Sequence, residues 1–134
     1  MTDRLVILLV EDSPDFADLW LDVVAETAGW SMLLAANGAE AFKVLDESET
    51  LPDLILLNDR MPHMDGIGFM EHYNDYPLQG KKPPVILHTG TIEEERLDAY
   101  RDLGVIGIIA IPLDVFTVHE EIERMLADYR PTDD

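Results

Sequence analysis

Five positions carry side chains whose type and spacing bear on chemistry. Glu11 and Asp12 are adjacent carboxylates directly after the apolar run 5–10. Two carboxylates at a strand end can hold a hard cation through oxygen, and Mg2+ is the usual ion where phosphate is handled. The plainer reading is solvated or helix-capping acids ahead of the first helix. Asn58 ends the apolar run 54–57 and opens the turn Asp59-Arg60-Met61-Pro62-His63-Met64-Asp65-Gly66. Its amide oxygen is neutral, so position 58 offers hydrogen bonds and no anionic nucleophile. Thr89 brings a hydroxyl at the end of the run 85–88, where a turn threonine is the alternative. Ile111, just before Pro112, brings neither charge nor donor. The four histidines, His63, His72, His88 and His119, show no metal-ligand spacing with one another. His88, inside a strand-like run, is expected to be packed or at a rim.

The elements that must position these residues alternate. Apolar runs at 5–10, 32–36, 54–57, 85–88 and 106–111 are separated by helical patterns. Most runs are continuously apolar, as strands buried on both faces should be. In the first helix Ser13 can cap, Pro14 suits the first position, and Phe16, Leu19, Trp20, Val23, Val24 and Thr27 keep the 3.6 period up to Gly29. Helices follow at about 39–47, from about Ile67, after a capping box Thr91-Ile92-Glu93-Glu94, and from a cap at Asp114, with Val115, Val118 and Ile122 on the inner face. Asp65 can cap the third helix while Gly66 accommodates the backbone. Five strand–helix repeats imply an α/β fold with a doubly wound parallel sheet. Sites in such sheets lie beyond the carboxyl ends of the strands, where the winding reverses. Glu11, Asp12, Asn58, Thr89 and Ile111 all fall there.

The bulk numbers remove several classes. A chain of 134 residues with 47% hydrophobic content fits one globular domain with a real core. There is no cysteine, hence no disulfide framework or thiolate chemistry, which suits a reducing cytoplasm. The apolar run at 5–10 is too short for a signal sequence and nothing approaches a membrane span. A net charge of −19 repels phosphate backbones and argues against direct nucleic-acid binding. It keeps the surface solvated, or it matches a basic partner.

Several segments resemble bacterial response-regulator receiver domains. They are Val10-Glu11-Asp12-Ser13-Pro14, the stretch 52–58 followed by Met61-Pro62-His63-Met64-Asp65-Gly66, the stretch 84–90, and Pro112. The resemblance covers about residues 5–127. It implies the flavodoxin-like strand order 2-1-3-4-5, and the expectation is a single domain with no output domain, its effector acting in trans unless these residues are a fragment. It also implies that position 58 is the phosphoacceptor, normally aspartate, and that Thr89 is the switch hydroxyl. By the same comparison Glu11, Asp12 and the backbone carbonyl of Arg60 surround a Mg2+ ion, here weakened by the missing charge. Ile111 stands where the family has a lysine, and Ile108 where it has a switch aromatic.

Nucleophile, counter-ion and aromatic are thus all replaced. The expectation is a receiver-like module that acts by protein–protein interaction, without phosphotransfer at Asn58 and without enzymatic activity. By analogy its partner, a histidine kinase or another signalling protein, would use the fourth helix, fifth strand and fifth helix. Helix phase nominates Glu93, Arg96, Tyr100, Glu121 and Arg124 for that surface. Two alternatives stay open: a phosphorylatable receiver whose aspartate was engineered to Asn58, a single change that leaves Ile111 unexplained, or use of Asp59 as acceptor. Strand alternation aims Asp59 away from Glu11 and Asp12, so an exposed loop acid is the expectation. A flavin or nucleotide carrier would want glycines and free amides after the first strand, and Glu11-Asp12-Ser13-Pro14 lacks them.

Overall fold

The computed structural model describes residues 4–78, 80–90 and 92–129. The strands are β1 (Leu5–Val10), β2 (Trp30–Ala35), β3 (Leu54–Asn58), β4 (Val85–Thr89) and β5 (Gly107–Ala110). The helices between and after them are α1 (Pro14–Ala25), α2 (Gly38–Glu47), α3 (Gly66–Asp75), α4 (Glu94–Leu103) and α5 (Val118–Asp128). All strand pairs are parallel, in the order β2-β1-β3-β4-β5.

The period of two along the central strands sorts the core into two layers. Ile7, Leu9, Leu54, Leu56 and Ile86 meet α1 and α5 through Trp20, Val23, Val118 and Ile122. Leu8, Val10, Ile55, Leu57 and Leu87 meet α2, α3 and α4 through Leu45, Phe69, Met70 and Tyr100. All four apolar residues of β3 are fully buried. Each such side chain contributes about 1.5–3 kcal/mol by leaving water, which anchors the strand that carries Asn58.

The element ends depart from the sequence expectations at several points. The α1 helix stops at Ala25, before Thr27, and its buried face uses Ala17 while Phe16 is exposed. Edge strand β2 starts at Trp30 and leaves Leu33 and Leu34 exposed, because only one neighbour covers it. Helix α5 opens at Val118 instead of directly after Asp114. The Asp114 carboxylate instead accepts from the Phe116 N–H at 2.9 Å, closing a separate turn that leaves Val115 exposed. The N-terminal residue of the expected capping box, Thr91, lies outside the described residues. Helix α4 begins after Glu93, which makes no side-chain capping bond. Ser13, Asn37 and Asp65 do cap α1, α2 and α3.

Candidate functional site

The helices change sides of the sheet between β1 and β3, and a cleft of about 370 Å3 opens beyond the carboxyl ends of the strands there. Glu11, Asp12, Asn58, Arg60, Thr89 and Ile111 all line it. A larger groove of about 550 Å3 runs between α1 and the entry to α5. Its walls are Leu19, Val23, Phe116 and His119 with Asp22 and Glu26 beside them, and none of the six cleft residues reaches it.

Asn58 is the hub of the cleft. Its Nδ2 donates to Glu11 Oε2 at 3.1 Å, to Asp12 Oδ1 at 3.2 Å and to the Arg60 carbonyl at 2.9 Å. All three neighbours are acceptors, so the amide must face them with nitrogen. Alternation along β3 explains the aim: Asn58 follows Leu54 and Leu56 to the side of the sheet that carries α1.

Burial governs the acid. Glu11 is 3% exposed, and desolvation raises its pKa to about 7. Asp12 beside it pushes the same way, while the Ser13 N–H, donating to Oε2 at 3.0 Å, opposes the shift. His88 pairs with Asn58 across β3 and β4 and is fully buried, edge-on to Trp20. Burial lowers its pKa to about 4. His88 Nε2 stands 3.7 Å from Glu11 Oε1. That separation would suit an ion pair, but burial disfavours both charges. Between the two shifted values, from about pH 4 up to about 7, the proton therefore belongs to Glu11 and the imidazole is neutral.

The resemblance places Mg2+ among Glu11, Asp12 and the Arg60 carbonyl. Those oxygens instead surround an NH2 group at hydrogen-bonding distance. Mg2+ demands oxygens at about 2.0–2.1 Å in near-octahedral array. An ion and the amide nitrogen cannot share the centre, so the residues as arranged do not fit the ion.

Thr89 is nearly buried at the end of β4, and its carbonyl accepts from the Ile111 N–H at 2.9 Å. That bond holds Ile111 at the cleft, where its side chain supplies hydrocarbon. Ile108 packs against the core layer shared with α2, α3 and α4.

Two expectations fail here together. Asp59 is no exposed acid: it is 1% exposed, with Oδ1 accepting from the Tyr100 hydroxyl and from Arg96 Nη2. Tyr100 is no surface residue but is fully buried, and Arg96 is half-buried, reaching on to Asp65 at 3.2 Å. The alternation that aims Asn58 at α1 sends Asp59 toward α4. A carboxylate there must find partners, and Arg96 and Tyr100, four apart on α4, form a matching pair. Glu93 and Arg124 are exposed as expected, and Glu121 is half-buried.

Residues 7–123 match the response regulator receiver domain. The chain is 28% identical over 120 residues to sporulation initiation phosphotransferase F of Bacillus subtilis, spanning 90% of this chain and 92% of that protein. It is 32% identical over 116 residues to the regulator of RpoS of Escherichia coli, spanning 84% of this chain and 33% of that protein. The solved signal receiver domain of a histidine kinase from Syntrophus aciditrophicus superimposes with a TM-score of 0.78 at 28% identity, covering 97% of this chain and 96% of that one. Matched across most of its length, and with the expected order of five parallel strands, the chain belongs to the response regulator receiver domain family of two-component signalling.

Proposed function

We propose that this receiver domain is a protein-interaction module whose signalling state does not depend on phosphorylation at position 58. The observation that carries the reading is the engagement of the Asn58 amide with Glu11, Asp12 and the Arg60 carbonyl. Phosphoryl transfer to a carboxylate needs an anionic oxygen in line with the donor. Position 58 supplies a neutral amide whose nitrogen is tied to three acceptors. The neighbouring carboxylate, Asp59, is taken up by Arg96 and Tyr100 and is not in the cleft lining, which argues against it as a substitute. Ile111 offers no cation to balance a phosphoryl group.

A cytoplasmic signalling partner, a histidine kinase or another protein of the pathway, would then read the α4–β5–α5 face. The net charge of −19 favours a basic partner surface over nucleic acid. Among the described residues no helix is long and apolar enough to cross a membrane. One relative is named for phosphotransfer and another as a regulator of RpoS.

The test is incubation of the full chain with Mg2+ and a small phosphodonor, followed by intact mass and peptide mapping. No adduct is expected. A stoichiometric phosphoryl group on Asp59 or elsewhere in the cleft would sink the proposal. The paired substitution Asn58→Asp with Ile111→Lys should gain phosphorylation, because it returns nucleophile and counter-charge together.

A further inference from the structure

We infer that the Asn58 side-chain nitrogen takes the place of a divalent cation, holding the acidic cleft together as a built-in, ion-independent bridge. The three oxygens around Nδ2 come from two separate pieces of chain. Glu11 and Asp12 follow β1, and the Arg60 carbonyl belongs to the loop after β3. A cation at their centre would tie those pieces together by coordination. The amide does so by hydrogen bonds at 2.9–3.2 Å, from a side chain already fixed on a buried strand.

The chemistry of the group suits the position. An amide nitrogen carries two hydrogens, both donors, and no accepting lone pair. It presents partial positive charge where two carboxyl groups and a carbonyl dipole converge. Two hydrogens serve three acceptors, so one is shared.

This is a different claim from a missing ligand charge. If position 58 merely lacked a negative charge, the cleft would be a weak cation site. If the amide fills the centre, an ion must first break its three contacts, and deleting the amide should improve binding even though no ligand is added. The comparison of Asn58→Ala with the wild-type chain separates the two.

Mg2+ binding to each full-length chain would be measured by calorimetry, with Mn2+ as a paramagnetic probe, and no phosphodonor present. Wild type should show no saturable site. Asn58→Ala should bind at least about tenfold more tightly than wild type, having no hydrogen bonds to the acids to give up. Asn58→Val, which also adds no ligand atom, serves the same comparison if the alanine variant folds poorly. In wild type the Asn58 side-chain amide resonances should not move on adding Mg2+. Wild-type binding as tight as that of the truncated variants would overturn the inference, and so would failure of every folded truncated variant to bind. Because the readout is ion binding alone, its outcome is independent of whether a phosphodonor modifies the chain.

Discussion

The Tyr100 hydroxyl donates to Asp59 Oδ1, the same oxygen that accepts from Arg96, so one buried carboxylate oxygen joins α4 to the end of β3. Burial raises the pKa of Tyr100, and its bond to Asp59 adds to the shift, so the hydroxyl remains a donor. The Asp59 bond likewise raises that of Arg96. Asn58 and Asp59 are consecutive, yet one organises the cleft and the other anchors α4.

Removing one partner should cost more than removing both. Arg96→Met leaves Asp59 short of its cation and is expected to destabilise by about 2–3 kcal/mol, less than a fully buried pair because the Arg96 side chain is 26% exposed. Tyr100→Phe should cost about 1–2 kcal/mol. The pair Asp59→Leu with Arg96→Met should be more stable than Arg96→Met alone, since no buried carboxylate remains. Urea midpoints at constant slope measure all three.

Gly66 is held to glycine by that same junction. A Cβ there would lie 2.2 Å from the Tyr100 hydroxyl and 2.8 Å from the Asn58 carbonyl. Gly66→Ala should therefore destabilise by about 1–3 kcal/mol. Adding Tyr100→Phe should recover part of the loss by removing the nearer atom. A thermal melt in which the double variant falls by the full sum of the singles would contradict a shared clash.

The Glu11–His88 pair makes a prediction about pH. Glu11 has a folded pKa raised from 4.5 to about 7, so its contribution is full below 4.5 and is lost as pH rises through 7. His88 has a folded pKa lowered from 6.5 to about 4, so its contribution is full above 6.5 and is lost as pH falls through 4. Between about pH 4.5 and 6.5 the two slopes oppose each other and the wild type should be nearly flat. His88→Met should uncover a stability that falls with rising pH, and Glu11→Gln one that falls with falling pH. Asp12 is the charged neighbour of Glu11, Asn58 donates to Glu11, and Trp20 packs edge-on to His88. Stability measured at intervals across that window decides it, and parallel curves for the two variants would refute the assignment.

Asp65 caps α3 by accepting from the Gly68 N–H at 2.9 Å. That bond first, and Arg96 second among the stabilising contacts, holds its pKa below 3.8. Its contribution is thus present above pH 3.8 and lost as pH falls below it. Asp65→Ala should cost about 1 kcal/mol at neutral pH. The deficit should shrink in acid, which chemical denaturation at two pH values would register.

The sequence by itself determined the layout. Continuous apolar runs alternating with 3.6-period stretches specify a parallel α/β sheet, because strands buried on both faces leave no polar alternation. The rule that sites form at carboxyl strand ends then selected Glu11, Asp12, Asn58, Thr89 and Ile111, and all five line one cleft. The absence of an anionic oxygen at 58 was also plain from residue type.

Tertiary structure decided the partnerships. Asp59 reads as a loop acid until the packed sheet shows α4 beside it, and Tyr100 reads as surface until its hydroxyl meets that carboxylate. The late start of α5 is equally invisible to periodicity, since Asp114 can close a turn as readily as a helix. The direction of the Asn58 nitrogen belongs here too. Propensity and spacing describe one segment at a time, whereas a hydrogen bond between residues 47 positions apart exists only once the sheet has brought their strands side by side.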